Sequence, residues 1–326
     1  MYGEGGGLSR TIPASFAAGS TAKSTIFAVL HCGTSGGRGL LTMLPETLRK
    51  FEAAVMSMRK LDRVIVALSG GVDSAVLLAI ATRALGPERV IAVTGGSASL
   101  APEELEDAAS VARCLGVEHR VAATSEMDRP AYVSNAGDRC YHCRTELFEV
   151  LGRLGRELRI EAVAYGAIVD DLGDVRPGMK AAEEHGVLAP LLVAGLRKDE
   201  VREIAAELGL PVSDKPAAAC LASRIPAGSD VTPEKLSQVE RAERALRVLG
   251  FRMVRVRHHG DVARIEIGPE DWERILDPAL REGATRAVRQ AGFRFVALDL
   301  EGYRAGSVSA KGPALYRIAP AREGGQ

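Results

Sequence analysis

Val64-Ile65-Val66-Ala67-Leu68, followed at once by Ser69-Gly70-Gly71-Val72-Asp73-Ser74, decides how this chain folds. The apolar run is rich in β-branched residues and suits a strand buried on both faces of a parallel sheet. Val72 to Leu85 (VDSAVLLAIATRAL) predicts a helix. The glycine turn between them lets the backbone come close to an anion. The free N–H groups and positive dipole end of the helix then favour a phosphate there. Ser69 and Ser74 can add hydroxyl donors. No Gly-Lys-Ser/Thr closes the loop, so it is not a Walker A motif, and the dinucleotide-binding glycine spacing is also missing.

Working outward, strand candidates fall at 63–68, 89–94, 118–123 and 160–165. Helical spacing occupies 44–60, 72–85, 102–115, 143–158 and 198–209, the last stopping at Gly209 and Pro211. This alternation predicts an α/β fold, a parallel sheet with helices on both faces. Ligands in such sheets sit at the carboxyl ends of the strands, where Ser69 to Ser74 falls. Composition shifts after Arg224, with a turn cluster over Ile225 to Asp230. Thr232-Pro233 then opens a helix through Leu249, followed by strands at 251–258 and 262–267, a helical stretch around 269–290 and a strand at 293–300. We expect a nucleotide-binding domain over 44–228 and a smaller α+β domain over 229–326, for substrate binding or oligomer contacts. Residues 1–43 are rich in Gly, Ser, Thr and Ala and read as a disordered tail or a misassigned start, with Met43 a start candidate.

Lys plus Arg and Asp plus Glu both number 42, so the formal charge is zero. That argues against a broad nucleic-acid footprint, which needs a basic excess or a concentrated patch. No apolar run reaches bilayer-spanning length. Five cysteines in 326 residues are too few for a disulfide scaffold and fit metal-binding or catalytic thiols in a reducing cytoplasm. Cys32 lies in the tail, and Cys114, in a helical run, reads as core.

The other cysteines carry more. Cys140-Tyr-His-Cys143 is a C-x-x-C pair able to reach one metal or cluster, or to act as a redox dithiol. Cys220 sits in a glycine-free stretch between Lys215 and Arg224, whose charges would favour its thiolate. Three cysteines beside a nucleotide loop suit an iron–sulfur cluster with one iron left open. Zinc would need a fourth ligand, and His142, inside the pair, is poorly placed to be it. Asp170, Asp171 and Asp174, ahead of Arg176, follow the strand candidate at 160–165 and could hold Mg²⁺ or a substrate ribose. Arg255 and Arg257 alternate on one strand, so both face the same side and suit a phosphate or carboxylate, with Glu266 able to balance them. His258 and His259 read as surface histidines.

Strand, SGGVDS and helix in that order resemble the PP-loop of ATP pyrophosphatases. With DRCYHC at 138–143, DDLGDVRPG at 170–178, KPAAACLASRIP at 215–226 and RVRHHGDVARIEIG at 255–268, the chain from about Leu44 to Tyr303 resembles the LarE family. These are ATP-dependent sulfur transferases of nickel-pincer nucleotide biosynthesis, which serves lactate racemase. The resemblance implies an adenine nucleotide alpha hydrolase-like fold. It also implies that ATP adenylates a carboxylate of pyridinium-3,5-dicarboxylate mononucleotide, after which sulfur displaces AMP. By the same match, Ser69, Gly70, Gly71, Val72, Asp73 and Ser74 would hold ATP with its Mg²⁺. Arg224, Arg255, Arg257, Asp170, Asp171 and Arg176 would contact substrate. Some members sacrifice the sulfur of the cysteine matching Cys220. Others carry three cysteines and a [4Fe–4S] cluster, and Cys140, Cys143 and Cys220 place this chain with them. A cytoplasmic homo-oligomer is expected. One motif differs: the family's Gly-Thr-Asn-like segment is here Gly166-Ala167-Ile168-Val169, so Ile168 replaces an amide side chain. Competing readings are a tRNA thiolase, an amidotransferase-type adenylator such as an NAD synthetase, and a nucleotide-binding redox sensor.

Overall fold

A computed structural model describes residues 43–173, 177–216 and 219–304. The expected tail, apart from Met43, lies outside these residues, as do Asp174 and Arg176. In chain order the elements are α1 (Pro45–Met58), β1 (Val64–Ala67), α2 (Val72–Leu85), β2 (Val90–Gly96), α3 (Pro102–Cys114), β3 (Glu118–Ala123), α4 (Pro130–Val133), α5 (Arg139–Leu158), β4 (Ala162–Ala164), α6 (Pro177–Glu184), α7 (Pro190–Val193) and α8 (Lys198–Glu207). After them come α9 (Pro233–Val248), β5 (Val254–His259), β6 (Val262–Ile267), α10 (Pro278–Gln290) and β7 (Phe295–Leu298). No helix among the described residues is long and apolar enough to cross a membrane.

Four of these strands form a parallel sheet in the order β3-β2-β1-β4. Val64 of β1 pairs with Val90 on one side and Ala162 on the other. Side chains alternate across the sheet. Val64 and Val66 join a core with Phe51 of α1, Val76 and Ile80 of α2 and Ile204 of α8. Ile65, Ile91 and Val93 face the opposite way, onto Phe148 and Leu151 of α5. Both faces are therefore covered, as the apolar run of β1 predicts. Chain order reverses between β1 and β4, so a crevice opens at their carboxyl ends. The loop after β1 stands at that crevice.

The second sheet has the order β5-β6-β7. Strands β5 and β6 run antiparallel across a two-residue turn at Gly260-Asp261, and β7 returns parallel to β6. A separate core gathers Leu236, Val239 and Leu246 of α9, Val254, Val256, Ile265, Val288 and Phe293. Tyr132 and Leu221 join it from the earlier part of the chain. The continuous helical stretch expected around 269–290 is not present. Two 3-10 turns, Pro269–Asp271 and Arg274–Leu276, precede α10. The helix starts only at Pro278, where the Asp277 carboxylate accepts the Leu280 N–H at 2.9 Å as a cap. The helix expected at 143–158 begins earlier, at Arg139, so both cysteines of the C-x-x-C pair lie within its first five residues.

Candidate active site

The loop after β1 is shaped by one glycine. Gly70 has a φ of +78°, and a Cβ there would lie 2.2 Å from the Glu104 carbonyl oxygen, so no side chain fits. Gly71 caps α2. The serines brace the loop. Ser74 Oγ accepts the Ser69 N–H at 3.1 Å, donates to the Gly71 carbonyl at 3.0 Å and lies 3.1 Å from Ser69 Oγ. Ser74 is buried, whereas Ser69 is exposed at the mouth of the loop. The N–H groups at the start of α2 are donors of the kind that suit an anion.

Around this loop the fold assembles residues remote in sequence. Both oxygens of Asp73 sit 2.8 Å from Lys198 Nζ, at the start of α8. Burial pushes the Asp73 carboxyl up, against the opposing pull of Lys198. The Lys198 N–H is donated to Asp170 Oδ2 at 3.0 Å, and the Ile168 N–H to Asp171 Oδ2 at 3.0 Å. Ile168 thus secures Asp171 through its backbone, while its side chain joins the core. Gly166 passes the start of α2 so closely that a Cβ would lie 2.8 Å from the Ser74 nitrogen. Lys215 Nζ donates to the Gly70 carbonyl at 3.0 Å and pairs with Glu104 at 2.8 Å and Asp107 at 2.5 Å. Sequence reasoning missed Lys198 altogether and saw Lys215 only as a neighbour of Cys220.

Lys198, Lys215, Gly166 and Ile168 line a cavity of about 570 Å³ together with Gly95, Ser97, Glu126, Cys143 and Arg144. Its size suits a nucleotide or a comparable small molecule. Ser69, Gly71, Val72, Asp73, Ser74, Asp170 and Asp171 all line it.

Cys143 leads from the cavity to the other thiols. Burial, then the charges of Cys220, Glu126 and Cys140, push its thiol up to about 12. The three cysteines therefore share one neighbourhood, with Cys140 and Cys220 exposed and Cys143 half-buried. Among the described residues no set of three His, Cys, Asp or Glu side chains converges as a metal site. The Leu221 N–H binds the Ser99 carbonyl at 2.9 Å and pins the chain just after Cys220. The cations flanking Cys220 in sequence are both held by carboxylates, Lys215 as above and Arg224 by Glu243 at 2.8 and 3.0 Å. His142 faces Asp138 at 3.1 Å.

Arg255 and Arg257 share a strand face as expected, but in buried surroundings, at 8% and 6% exposure. Arg257 forms a two-pronged pair with Glu266 at 3.0 and 2.7 Å and donates to the Ser223 carbonyl at 3.1 Å. Arg255 stacks over the Tyr303 ring at 5.2 Å and donates to the Val254 carbonyl at 2.8 Å. Arg224 is also buried. Burial would raise the Glu243 carboxyl, but Arg224 overcomes this and holds it low. His258 is not at the surface: it is buried, its Nε2 lies 3.1 Å from Gln238 Oε1, and its ring packs on Phe293. Only His259 is exposed.

Comparison with known proteins follows the same geometry. The NAD synthase family profile matches residues 45–140, the part that carries the β1–α2 loop. An uncharacterized protein of Synechocystis is 43% identical over 81% of this chain and 96% of its own length. The pyridinium-3,5-bisthiocarboxylic acid mononucleotide synthase of Lactiplantibacillus plantarum is 37% identical over 78% of this chain and 92% of its own length. The chain belongs to the LarE family. It is thereby an ATP-dependent sulfurtransferase of the PP-loop class. A tRNA-specific 2-thiouridylase of Azorhizobium caulinodans, 33% identical, matches only 47% of this chain and 49% of its own length. The LarE match extends instead through most of both chains.

Proposed function

We propose that this LarE-family chain converts the carboxylates of pyridinium-3,5-dicarboxylate mononucleotide to thiocarboxylates, toward a nickel-pincer nucleotide of the kind that serves lactate racemase. The observation that carries this reading is a single cavity lined by both the Ser69–Ser74 loop and Cys143. An activated acyl group formed at the loop would not have to leave the cavity to meet sulfur. The near full-length similarity to the Lactiplantibacillus synthase supports the same substrate.

The chemistry runs in two displacements. A substrate carboxylate oxygen attacks the α-phosphorus of ATP, and the α–β phosphoanhydride bond breaks with release of pyrophosphate. A sulfur nucleophile then attacks the acyl carbon, and AMP departs with the electron pair of the acyl–oxygen bond. A second round on the other carboxylate gives the dithio product. The N–H groups at the start of α2 would hold a phosphate, and Lys198 and Lys215 on the cavity wall would add positive charge. Asp73, Asp170 and Asp171 are oxygen donors suited to the Mg²⁺ that accompanies ATP. Arg224, Arg255 and Arg257 would bind the substrate phosphate by exchanging part of their present contacts.

Cys140, Cys143 and Cys220 fit a three-thiolate [4Fe–4S] cluster in ligand type and in neighbourhood. When bound, such a cluster supplies an iron-held sulfide for transfer. The exposure of Cys220 favours a second reading in which Cys220 gives up its own sulfur.

Anaerobic purification with iron and sulfide analysis separates the two readings. About four irons per chain, lost on Cys140→Ala, is the expected result. A colourless protein that thiolates once, while Cys220 loses the mass of H₂S, overturns the cluster reading. Pyrophosphate release that ignores the pyridinium nucleotide overturns the substrate assignment.

A further inference from the structure

One carboxylate of the cavity is used by none of these roles. Glu126 opens the 3-10 turn Glu126–Asp128 just after β3. It lines the cavity with Ser97, Thr124 and Cys143, yet it is only 1% exposed. Its contact with Ser99 Oγ is long, at 3.4 Å. The other carboxylates of the cavity are better supplied. Asp73 has the Lys198 ammonium, while Asp170 and Asp171 accept backbone N–H groups and are less buried.

No Lys or Arg among the described residues reaches ion-pair distance of Glu126. Arg129, three residues on, pairs with Glu146 and Glu149 instead. Arg144, on the same cavity wall, stacks over Tyr165 at 5.2 Å. A carboxylate withdrawn from water without a cation beside it is costly to keep. The same withdrawal strengthens its attraction for a cation that enters the cavity. A metal ion or ammonium would also need several oxygen ligands or hydrogen-bond acceptors around it. A flat aromatic cation needs only an apolar slot and one nearby negative charge. Leu147, packed so closely on Gly95 that a Cβ there would lie 3.0 Å from its Cδ1, gives the same wall an apolar surface.

We propose that Glu126 is the counter-charge for the permanently cationic ring of the substrate. It holds an N-ribosylated pyridinium at the Cys143 end of the cavity and selects it against an uncharged ring of the same shape. This inference rests on the sulfur-transfer reading, and it names the group by which the site recognises the oxidation state of the ring. An N-ribosylated dihydropyridine has lost the positive charge and would be refused.

The test is calorimetric binding of two probes to the whole chain. One is pyridinium-3,5-dicarboxylate mononucleotide. The other is its analogue with an uncharged ring, a benzene-3,5-dicarboxylate joined through carbon to the ribose 5′-phosphate. The wild type is expected to bind the cationic probe at least about tenfold more tightly. Glu126→Gln keeps an acceptor for Ser99 and is expected to bind both probes alike. Ser99→Ala, which leaves the charge, is expected to keep the preference. Should Glu126→Gln fail to fold by thermal melting, Glu126→Asp serves instead: retention of the cation preference supports the proposal and its loss overturns it. A wild type without preference, or a preference that survives Glu126→Gln, overturns the proposal while leaving sulfur transfer standing. A wild type that binds neither probe overturns the sulfur-transfer reading and the proposal together.

Discussion

The carboxyl edge of the parallel sheet and the β5–β6 sheet hold similar charged residues in opposite ways. At the first, the carboxylates have few ties and face the cavity: Asp73 has Lys198, Asp170 has one N–H, and Glu126 has one distant hydroxyl. At the second, the charges close on one another. Glu243, at 0% exposure, accepts from Arg224, Arg247 and the Val256 N–H. Glu266 takes Arg257 and Arg264, and Arg264 continues to Asp299. Desolvation explains the difference. An ion sealed on every side by protein needs its partners already present, whereas an ion on a cavity wall can wait for a ligand to complete its surroundings.

The largest expected effect breaks the closed network. Glu243→Ala leaves Arg224 buried without its counter-charge and should cost about 3–5 kcal/mol in urea unfolding. A loss under about 1 kcal/mol would mean that the network is open after all. Next comes Asp73→Asn, which should lower pyrophosphate release roughly a hundredfold or more while the melting temperature holds. If melting fell as far as in Glu243→Ala, the cavity edge would be structural too, and the contrast would vanish.

The smallest effect is pH-linked. Burial, reinforced by the charge of Lys235, holds the His258 imidazole below its usual range. The unfolded chain takes up a proton near pH 6.5, and the folded chain only at lower pH. The stability that His258 contributes is therefore complete above about pH 6.5 and is lost as pH falls through the depressed folded value. His258→Gln should shrink the shift in urea midpoint between about pH 7.5 and about pH 5.5. An unchanged shift would show that His258 is already solvated.

Legibility in the sequence followed locality. The β1 run, the glycine turn and the apolar helix α2 are contiguous, so strand period and turn chemistry revealed them. The same-face pairing of Arg255 and Arg257 was also local, since it needs only the period of a strand. Their burial was not, because it depends on Glu266 and on the turn that contains Ser223. The helix expected around 269–290 failed because two short turns with helical spacing precede the real start at Pro278. Lys198 carried no signal at all, being 125 residues from the aspartate it holds. Glu126 carried none either, since a single glutamate after a strand looks like any solvated turn residue.

By itself the sequence determined the alternation of strands and helices, the phosphate-loop chemistry and the thiols available for sulfur. Only the tertiary structure decided which charges meet, which are sealed and which face the cavity. Periodicity and turn preference act within a few residues of chain. Coulomb attraction and desolvation depend instead on distance and burial, and the folded path sets both between segments that the sequence keeps far apart.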